Sequence, residues 1–313
     1  MKPTKTHSKW LAQENSLAED LVEYWGGDFG CDSEVGELKA VLLRRPGAEI
    51  EGLEKPEEFR WLDLMDPIKA REQHDALAEV YRTHGASVHY VENMREDKPN
   101  AIFMRDNVLM TPEGAIVGRQ AMTCRRGEER FAAEALANLG IPIIRTISAT
   151  GIFETACCLW VDAETVILGS GNRANFEGCR QVEEALNTIG VENFIYFQIP
   201  YGYAHIDSII SFVSQRAVVV DPVHLSWDVW SDLNNLGIQL LEAPSLEETQ
   251  AQALNFVSLA PGKVVMAAGF PRTKEFLEDN DVLVTEVDVS ELRKGWGSLH
   301  CMTAVLKRDP LET

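Results

Sequence analysis

The stretch Asn107-Val-Leu-Met-Thr-Pro-Glu-Gly-Ala-Ile-Val-Gly118 contains two short apolar runs separated by a turn. Pro112 and Gly114 mark the turn, because proline restricts φ and glycine adopts conformations that other residues avoid. An amphipathic pattern at residues 125–139 follows, and then a third apolar run at 142–145. The stretch therefore predicts a unit of strand, strand, helix and strand.

The same order of elements recurs along the chain and predicts five units. The last apolar run, 302–307, has no helix after it. We expect it to supply the second strand that the first unit lacks, which would close the five units into a ring. An ordinary open sheet is the alternative, and both architectures are of the α/β class. The elements of the other units are expected at 38–43, 67–84 and 87–91; at 155–161, 165–168, 175–189 and 194–198; at 208–213, 217–220, 227–236 and 239–242; and at 255–259, 263–267, 271–277 and 282–287.

The chain of 313 residues is 45% hydrophobic, which is enough for a large core. Because no Pro- or Ser-rich linker interrupts the units, we expect one catalytic domain at 34–313. Residues 1–33 are expected to form an N-terminal helical extension. Its apolar residues at helical spacing are Leu11, Leu17, Leu21 and Tyr24.

The formal net charge of −20 argues against nucleic-acid binding, which requires a basic surface, and is compatible with a cationic small-molecule partner. No apolar run is long enough to span a membrane, and the N-terminus lacks the apolar core of a signal peptide. Six cysteines in a chain of this length do not predict a disulfide scaffold, and no zinc-binding spacing is present. We therefore expect a cytoplasmic protein without a metal site. The oligomeric state stays open, a homo-oligomer included.

Residues with reactive side chains lie just before the first strands of the units. Cys301 ends the glycine-punctuated loop Lys294-Gly-Trp-Gly-Ser-Leu-His-Cys301, directly before the closing strand. Because equivalent positions of units arranged around an axis face one centre, we expect these side chains to converge. They are Asp106, Glu154, His205, Asp207 and Cys301.

This set of side chains indicates covalent chemistry on a cation. A cysteine attacks as a thiolate, and three neighbouring carboxylates would by themselves raise its pKa. The carboxylates are useful if the ligand is a guanidinium, whose parallel N–H groups match carboxylate oxygens. His205 could then protonate a leaving amine and activate water. The sequence thus points to an enzyme that modifies guanidino groups.

The chain resembles the guanidino-group-modifying superfamily, which comprises arginine deiminases, dimethylarginine dimethylaminohydrolases and amidinotransferases. The resemblance implies a five-bladed, pseudo-symmetric α/β-propeller of repeated ββαβ units, a covalent Cys-amidino intermediate and no cofactor. The matching segments cover most of the chain in order. They are Met104-Arg-Asp106, Phe153-Glu154, Asn172-Arg-Ala-Asn175, His205-Ile-Asp207 and Gly297-Ser-Leu-His-Cys-Met-Thr303.

By position, the resemblance implies a role for each residue of the set. Cys301 would be the nucleophile and His205 the general acid and base, while Glu154 would orient the histidine or bind the guanidinium. Asp106 and Asp207 would hold the guanidinium nitrogens. Two further residues, Arg173 and Arg119, resemble arginines that bind an amino-acid carboxylate in relatives.

The segment Phe153-Glu-Thr-Ala-Cys157 departs from the family pattern, because the downstream acid is replaced by Cys157. Glu154 is typical of the hydrolases, whereas Thr155 and Ala156 are closer to the transferases. We expect a hydrolase acting on arginine or a related guanidino compound. An amidinotransferase is the alternative, and a catalytically inactive guanidino-ligand binder is a third. Trp296 interrupts the glycines before Cys301 and is expected to narrow or cap the pocket.

Overall fold

Fifteen short strands form five three-stranded sheets in the computed structural model, which describes residues 15–311. Every predicted strand is present, and its ends differ from the expected ones by at most three residues. The strands are β1 (Leu38–Leu43), β2 (Ser87–Tyr90), β3 (Val108–Thr111), β4 (Gly114–Val117), β5 (Ile143–Thr146), β6 (Cys158–Asp162), β7 (Thr165–Ser170), β8 (Asn193–Gln198), β9 (Ile210–Ser214), β10 (Ala217–Val220), β11 (Gln239–Glu242), β12 (Val257–Ala260), β13 (Lys263–Ala267), β14 (Leu283–Val287) and β15 (Ala304–Arg308).

Helices connect the second and third strands of the sheets. Five of the eight α-helices in the described part of the chain are those that the sequence predicts within the units, and the short α6 was not predicted. The α-helices are α1 (Leu17–Asp20), α2 (Pro67–Thr83), α3 (Glu128–Asn138), α4 (Phe176–Thr188), α5 (Trp227–Asn235), α6 (Leu246–Gln250), α7 (Pro271–Asp279) and α8 (Leu299–Met302). None of the helices within residues 15–311 is long and apolar enough to cross a membrane.

Each sheet has one antiparallel and one parallel pair of strands. In the second unit β3 pairs antiparallel with β4, and β4 pairs parallel with β5. All residues of β3 and β4 are buried, because the sheet is covered on both sides. The tight turn between them requires Gly114, which has φ +140°, and a Cβ there would lie 2.5 Å from the carbonyl oxygen of Pro142. This unit is the repeat that the sequence predicts.

β15 closes the ring, but it is the first strand of its sheet and not the second, as was expected. β15 pairs antiparallel with β1, which in turn pairs parallel with β2. β15 therefore supplies the first strand of this sheet, and β1 is its central strand. The prediction that the last run supplies the second strand was wrong in this detail. The fold is a five-bladed α/β-propeller, and its placement of β15 gives Cys301 the same position as the other residues before first strands.

Only part of the described segment of the N-terminal extension is helical. A π-helical turn, Leu21–Trp25, follows α1 directly. Leu21 is buried, as the amphipathic pattern predicts, whereas Tyr24 is exposed. Leu11 lies outside the described residues. Beyond the helix, the backbone N–H of Gly30 donates to the carbonyl of Leu306 at 2.9 Å, so this segment is joined to β15.

α2 shows how a helix covers its sheet. Asp66 caps the helix, because its carboxylate accepts hydrogen bonds from the backbone N–H groups of Ile68 and Lys69 at 2.9 and 3.1 Å. The first residue of α2 is Pro67. Proline is favoured at this position, because the N–H that it lacks would have no partner within the helix. The buried face follows the helical period. Its residues are Ala70, His74, Leu77, Ala78 and Tyr81.

His74 is the one polar residue on this buried face. Neither ring nitrogen has a hydrogen-bond partner within residues 15–311. Burial lowers the pKa of His74 from 6.5 to about 4, so the ring is neutral in the folded protein at neutral pH. In the unfolded chain this histidine takes up a proton below pH 6.5. The free energy of unfolding therefore falls between pH 6.5 and about 4, by about 3 kcal/mol from this residue alone.

We expect His74→Leu to raise the free energy of unfolding and to remove this part of its pH dependence. The change replaces an unsatisfied polar ring by an apolar side chain in an apolar environment. Urea unfolding of both proteins at pH 7.5, 5.5 and 4.5 measures the difference between them. That difference should grow as the pH falls. A constant difference across the three pH values would contradict the assignment.

Candidate active site

The residues before the first strands line one cavity of about 730 Å³. The structure brings together Asp106, Glu154, His205 and Cys301 in its wall. Asp106 ends a short 3-10 turn, Glu154 and His205 each precede one, and Cys301 lies on α8. These turns end the connections between sheets, so each side chain is presented where a new sheet begins. Asp207 does not line the cavity but lies against Cys301.

Cys301 is held at the inner end of the cavity with its side chain 6% exposed. The thiol Sγ lies 3.2 Å from Asn255 Nδ2 and 3.5 Å from Asp207 Oδ2. Burial and the charges of Asp207 and Asp106 raise the pKa of Cys301 well above its ordinary value. With no ligand bound, the cysteine is therefore a neutral thiol.

The loop before Cys301 is fixed by close packing of its glycines. A Cβ at Gly297 would lie 2.2 Å from the ring of Phe103, and a Cβ at Gly295 would lie 2.5 Å from Met65. Trp296 between them has φ +61° and lines the cavity with half of its surface exposed. The tight fit of the glycines against Phe103 explains why the chain needs glycine on both sides of this tryptophan.

Asn255 is a candidate site residue that the sequence analysis missed. Its Nδ2 contacts the thiol, and its Oδ1 accepts the backbone N–H of Cys301 at 3.1 Å. It lies two residues before β12, the first strand of the fifth unit. Asp106 lies at the same distance before β3, the first strand of the second unit, so the repeat contained the signal. The sequence analysis placed Asn255 within the strand instead.

We expect Asn255→Ala to slow alkylation of Cys301 by about ten-fold to a hundred-fold at a fixed pH, since a thiolate would lose a charge-assisted hydrogen bond. The pH dependence of inactivation by iodoacetamide measures this, and its midpoint should move to higher pH. Asn172→Ala is the matched control, because Asn172 also lines the cavity but makes no contact with the thiol. Identical profiles for Asn255→Ala and the control would mean that Asn255 does not stabilise the thiolate.

His205 and Glu154 form a buried ion pair. His205 Nε2 lies 2.7 Å from Glu154 Oε2, and its Nδ1 lies 3.6 Å from Asp106 Oδ1. Burial by itself would lower the pKa of His205, but Asp106 and Glu154 outweigh burial and raise the pKa above its usual value. Burial likewise opposes ionisation of Glu154, yet its hydrogen bond to His205 and the charge of that ring lower the pKa of Glu154. The contact therefore favours an imidazolium paired with a carboxylate.

Arg125 is a second residue that the sequence analysis missed. Its guanidinium is buried, donates to Glu128 at 2.8 and 3.1 Å, and contacts Asp106 Oδ2. Arg125 lies nineteen residues after Asp106, and Arg173 lies nineteen residues after Glu154. This repeated spacing could have identified Arg125 as a candidate site residue from the sequence.

Arg173 lines the cavity, whereas Arg119 does not. Arg173 Nη1 lies 3.4 Å from Glu154 Oε1, and the side chain is 12% exposed. Arg119 instead donates to the carbonyls of Ala149 and Gly151 at 3.2 and 2.8 Å. Its guanidinium is therefore engaged with the backbone of a neighbouring loop.

Asp207 is ionised and links Cys301 to a second histidine. Its Oδ2 accepts from His300 Nδ1 at 2.9 Å, and His300 Nε2 lies 3.5 Å from Glu34 Oε2. Burial favours the protonated acid, but the hydrogen bond from His300 outweighs it and lowers the pKa of Asp207 to about 2. The carboxylate beside the thiol is therefore negatively charged at neutral pH.

Two buried carboxylate oxygens of the site have no hydrogen-bond partner within residues 15–311. They are Oδ1 of Asp106 and Oδ1 of Asp207. Buried carboxylate oxygens are almost always paired in folded proteins. The two oxygens therefore indicate where a ligand with N–H donors would bind.

Asp106, Glu154 and His205 also offer ligand atoms within 4.8 Å of one another, a spacing that a metal ion could bridge. However, Arg125 contacts Asp106 and lies 4.0 Å from Glu154 Oε2, and His205 donates to Glu154. A metal ion would have to displace both cations. We therefore interpret this cluster as an ion-pair network.

A ring of five small sheets with a cysteine, a histidine and carboxylates at one cavity defines an enzyme that modifies guanidino groups through a cysteine. Comparison with known proteins agrees with this class. The chain belongs to the dimethylarginine dimethylaminohydrolase family, since the family described as "N,N dimethylarginine dimethylhydrolase, eukaryotic" matches residues 65–308.

Guanidino-group hydrolases are among the relatives that the chain matches. It is 27% identical to the N(G),N(G)-dimethylarginine dimethylaminohydrolase of Pseudomonas aeruginosa, over 85% of this chain and 98% of that protein. It is 22% identical to the arginine deiminase of Limosilactobacillus reuteri, over 90% and 98% of the two chains.

Solved structures show the same architecture. The Pseudomonas aeruginosa dimethylaminohydrolase complexed with citrulline has a TM-score of 0.70 at 25% identity, covering 86% of this chain and all of that one. An amidinotransferase from Microseira wollei has a TM-score of 0.75 at 15% identity, covering 90% and 98% of the chains. The second similarity concerns the fold alone.

Proposed function

We propose that this protein hydrolyses a guanidino compound, with Cys301 as the nucleophile. The observation that carries the proposal is that one buried carboxylate oxygen of Asp106 and one of Asp207 lack a hydrogen-bond partner within residues 15–311, near a buried thiol. A guanidinium presents N–H groups in a plane and matches such oxygens. Its positive charge also offsets the carboxylates that raise the pKa of Cys301. Binding of substrate therefore favours loss of the thiol proton to solvent, which leaves the thiolate that the reaction requires.

In the first half-reaction the thiolate of Cys301 attacks the central guanidinium carbon, and a carbon–sulfur bond forms. The bond from that carbon to the leaving nitrogen then breaks. The leaving amine takes a proton from the imidazolium of His205, which Glu154 orients through its 2.7 Å hydrogen bond. An amidino group stays attached to sulfur.

In the second half-reaction neutral His205 removes a proton from water, and the hydroxide attacks the same carbon. The carbon–sulfur bond breaks and the thiolate of Cys301 is released, while the added hydroxyl group loses its proton to solvent and becomes the ureido carbonyl. The products are a ureido compound and an amine, and the sum of the steps consumes one water without oxidation or reduction. Asn255 supports the thiolate in both halves through its contact with Sγ.

We propose an arginine-like substrate, with Arg173 binding a carboxylate at its far end. Arg173 lines the cavity, and its guanidinium makes one hydrogen bond within residues 15–311, from Nη1 to Glu154, so its other N–H groups can donate to a carboxylate. Arg119 is left out of this role, since its guanidinium is engaged with two carbonyls. Dimethylarginine and arginine, which occur in the names of relatives, are the first compounds to examine.

Incubation with a panel of guanidino compounds, with and without acceptor amines, tests the reaction. A ureido product with released amine, unaffected by acceptors, is expected for the hydrolase. An amidinotransferase would form a new guanidino compound only when an acceptor amine is present. The amidinotransferase is included as a second candidate for two reasons. Thr155 and Ala156 are closer to the transferases, and the fold is shared with an amidinotransferase. Absence of any product from the whole panel would overturn both.

We also propose that residues 34–313 form the catalytic domain and that the protein acts in the cytoplasm. The five sheets lie within this range. All six cysteines are free, as is usual in a reducing compartment.

A further inference from the structure

The loop that follows the second strand of a unit contacts the segment before the first strand of the same unit. In the second unit Arg125, from the loop after β4, contacts Asp106. In the third unit Arg173, from the loop after β7, lies 3.4 Å from Glu154. Each contact joins a side chain of the reaction site to a loop of its own unit. The corresponding loop of the fourth unit follows β10, and it contacts the segment that carries His205.

In the fourth unit this contact is made through Tyr203, two residues before His205. The hydroxyl of Tyr203 donates to Asp221 Oδ2 at 3.2 Å and lies 3.1 Å from His224 Nδ1. His224 Nδ1 lies 2.7 Å from the same oxygen of Asp221, and the rings of Tyr203 and His224 are 4.6 Å apart. The three side chains therefore form one closed set of contacts, which we call the Tyr203 anchor.

Asp221 is the fixed point of the Tyr203 anchor. Its side chain is fully buried, and its Oδ1 accepts the backbone N–H of Val223 at 2.9 Å. Its own backbone N–H donates to the carbonyl of Ile209, directly before β9, at 2.8 Å. Burial and the neighbouring Asp221 raise the pKa of Tyr203 to about 12, so the tyrosine keeps the proton that it donates. The anchor thus attaches Tyr203 to the rigid part of its sheet.

Few other contacts hold residues 200–204, which line the cavity in part. Tyr201 is fully exposed. The thiol of Cys157 contacts the carbonyl of Ala204 at 3.9 Å, which is too long for a strong hydrogen bond. Apart from that contact and the Tyr203 anchor, no hydrogen bond within residues 15–311 joins residues 200–204 to another part of the chain. The anchor is therefore the main polar attachment of this segment.

We propose that the Tyr203 anchor positions His205 for proton transfer to the leaving amine. The proposal rests on the proposed function and adds Tyr203, Asp221 and His224 to it as positioning residues. His205 has an extended backbone, with φ −135° and ψ 169°, so no turn at this residue absorbs a movement of Tyr203. Catalytic groups are held within about 0.5 Å of their productive positions by the residues behind them. Glu154 orients the imidazole, and the anchor fixes the backbone that carries it.

Tyr203→Phe tests the proposal, because it removes the hydroxyl and keeps the ring. We expect it to lower the rate of amine release in the first half-reaction by about ten-fold to a hundred-fold, since the imidazolium is displaced from the leaving nitrogen. Release of thiol from an S-alkylisothiourea in the same half-reaction should change by less than about two-fold, because a thiolate leaves without first being protonated. Pre-steady-state release of the two leaving groups measures both rates.

Tyr201→Phe is the matched control. Tyr201 lies two residues before Tyr203, also lines the cavity, and makes no hydrogen bond within residues 15–311. His224→Leu is a second variant of the anchor, since it removes a donor to Asp221, and it should slow amine release in the same selective way. Equal losses for both leaving groups in Tyr203→Phe, or losses no larger than in Tyr201→Phe, would overturn the proposal. Thermal unfolding midpoints close to that of the unchanged protein verify the fold of each variant.

Nitrogen-15 NMR of histidine-labelled protein tests the positioning of His205 without turnover. The imidazole signals of His205 are identified by their loss in His205→Gln. They should shift in Tyr203→Phe and stay in place in Tyr201→Phe. Unchanged signals in Tyr203→Phe would overturn the proposal even in an active enzyme. Shifted signals in a protein that turns over no guanidino compound would support the anchor and contradict the proposed function.

Discussion

Replacing Cys301 with serine lowers kcat by about four orders of magnitude or more, because a serine hydroxyl at this site has no base positioned to activate it. The thermal unfolding midpoint should stay close to that of the unchanged protein. Serine is nearly isosteric with cysteine, and Asn255 can still donate to its oxygen. Steady-state release of amine from a turned-over guanidino compound measures the rate.

Cys157→Ala is the matched control for this prediction. Cys157 is also fully buried and lies three residues after Glu154, but its Sγ only contacts the carbonyl of Ala204 at 3.9 Å. The control should keep most of the activity. Loss of turnover in Cys157→Ala, with normal turnover in Cys301→Ser, would mean that the wrong thiol was chosen.

Replacing His205 with glutamine lowers kcat by about 10²- to 10⁴-fold for substrates with an amine leaving group, because the proton donor is lost. In the first half-reaction the loss should be much smaller for an S-alkylisothiourea, because a thiolate leaves without first being protonated. The second half-reaction requires His205 with either substrate. The ratio of the two losses distinguishes an acid from a residue that only maintains structure. Pre-steady-state release of the leaving group measures the first half-reaction directly.

Glu154→Gln provides the comparison for His205. It keeps an oxygen near His205 Nε2 but removes the charge that holds the pKa of His205 above its usual value. With glutamine the imidazolium loses its proton at lower pH, so the alkaline limit of kcat should move to lower pH. A pH profile identical to that of the unchanged protein would exclude a role for this ion pair in the protonation of His205.

The ring architecture could be predicted because each unit is encoded locally. Two apolar runs, a turn and an amphipathic helix recur, and the strand ends follow from residues such as Pro112 and Gly114. The position of β15 within its sheet could not be predicted from the local sequence in the same way. The first unit begins at its central strand, and which side of β1 receives the last strand depends on closure of the whole ring.

The site could be predicted only where a residue stands out by type. Cys301 and His205 carry reactive groups, so their position before a strand drew attention to them. Asn255 occupies the equivalent position but is neutral and common in turns. Arg119 and Arg125 lie six residues apart on the loop after β4, and residue type does not tell which of them reaches the cavity. The spacing shared with Arg173 distinguishes them.

The balance of charges inside the site also depends on packing. Arg125 neutralises Asp106 because Glu128, the first residue of α3, anchors it from the other side. A count of acidic residues in the sequence therefore overstates the negative charge that a substrate meets.

The central claim is that Cys301 becomes covalently attached to the guanidinium carbon and that water then releases it. Peptide mass spectrometry after rapid acid quench, in water enriched in oxygen-18, tests both parts at once. The account predicts an amidino adduct on the peptide that carries Cys301 and one heavy oxygen in the ureido product. An adduct on Cys157, or turnover with no adduct on any cysteine under conditions that trap intermediates, would contradict it.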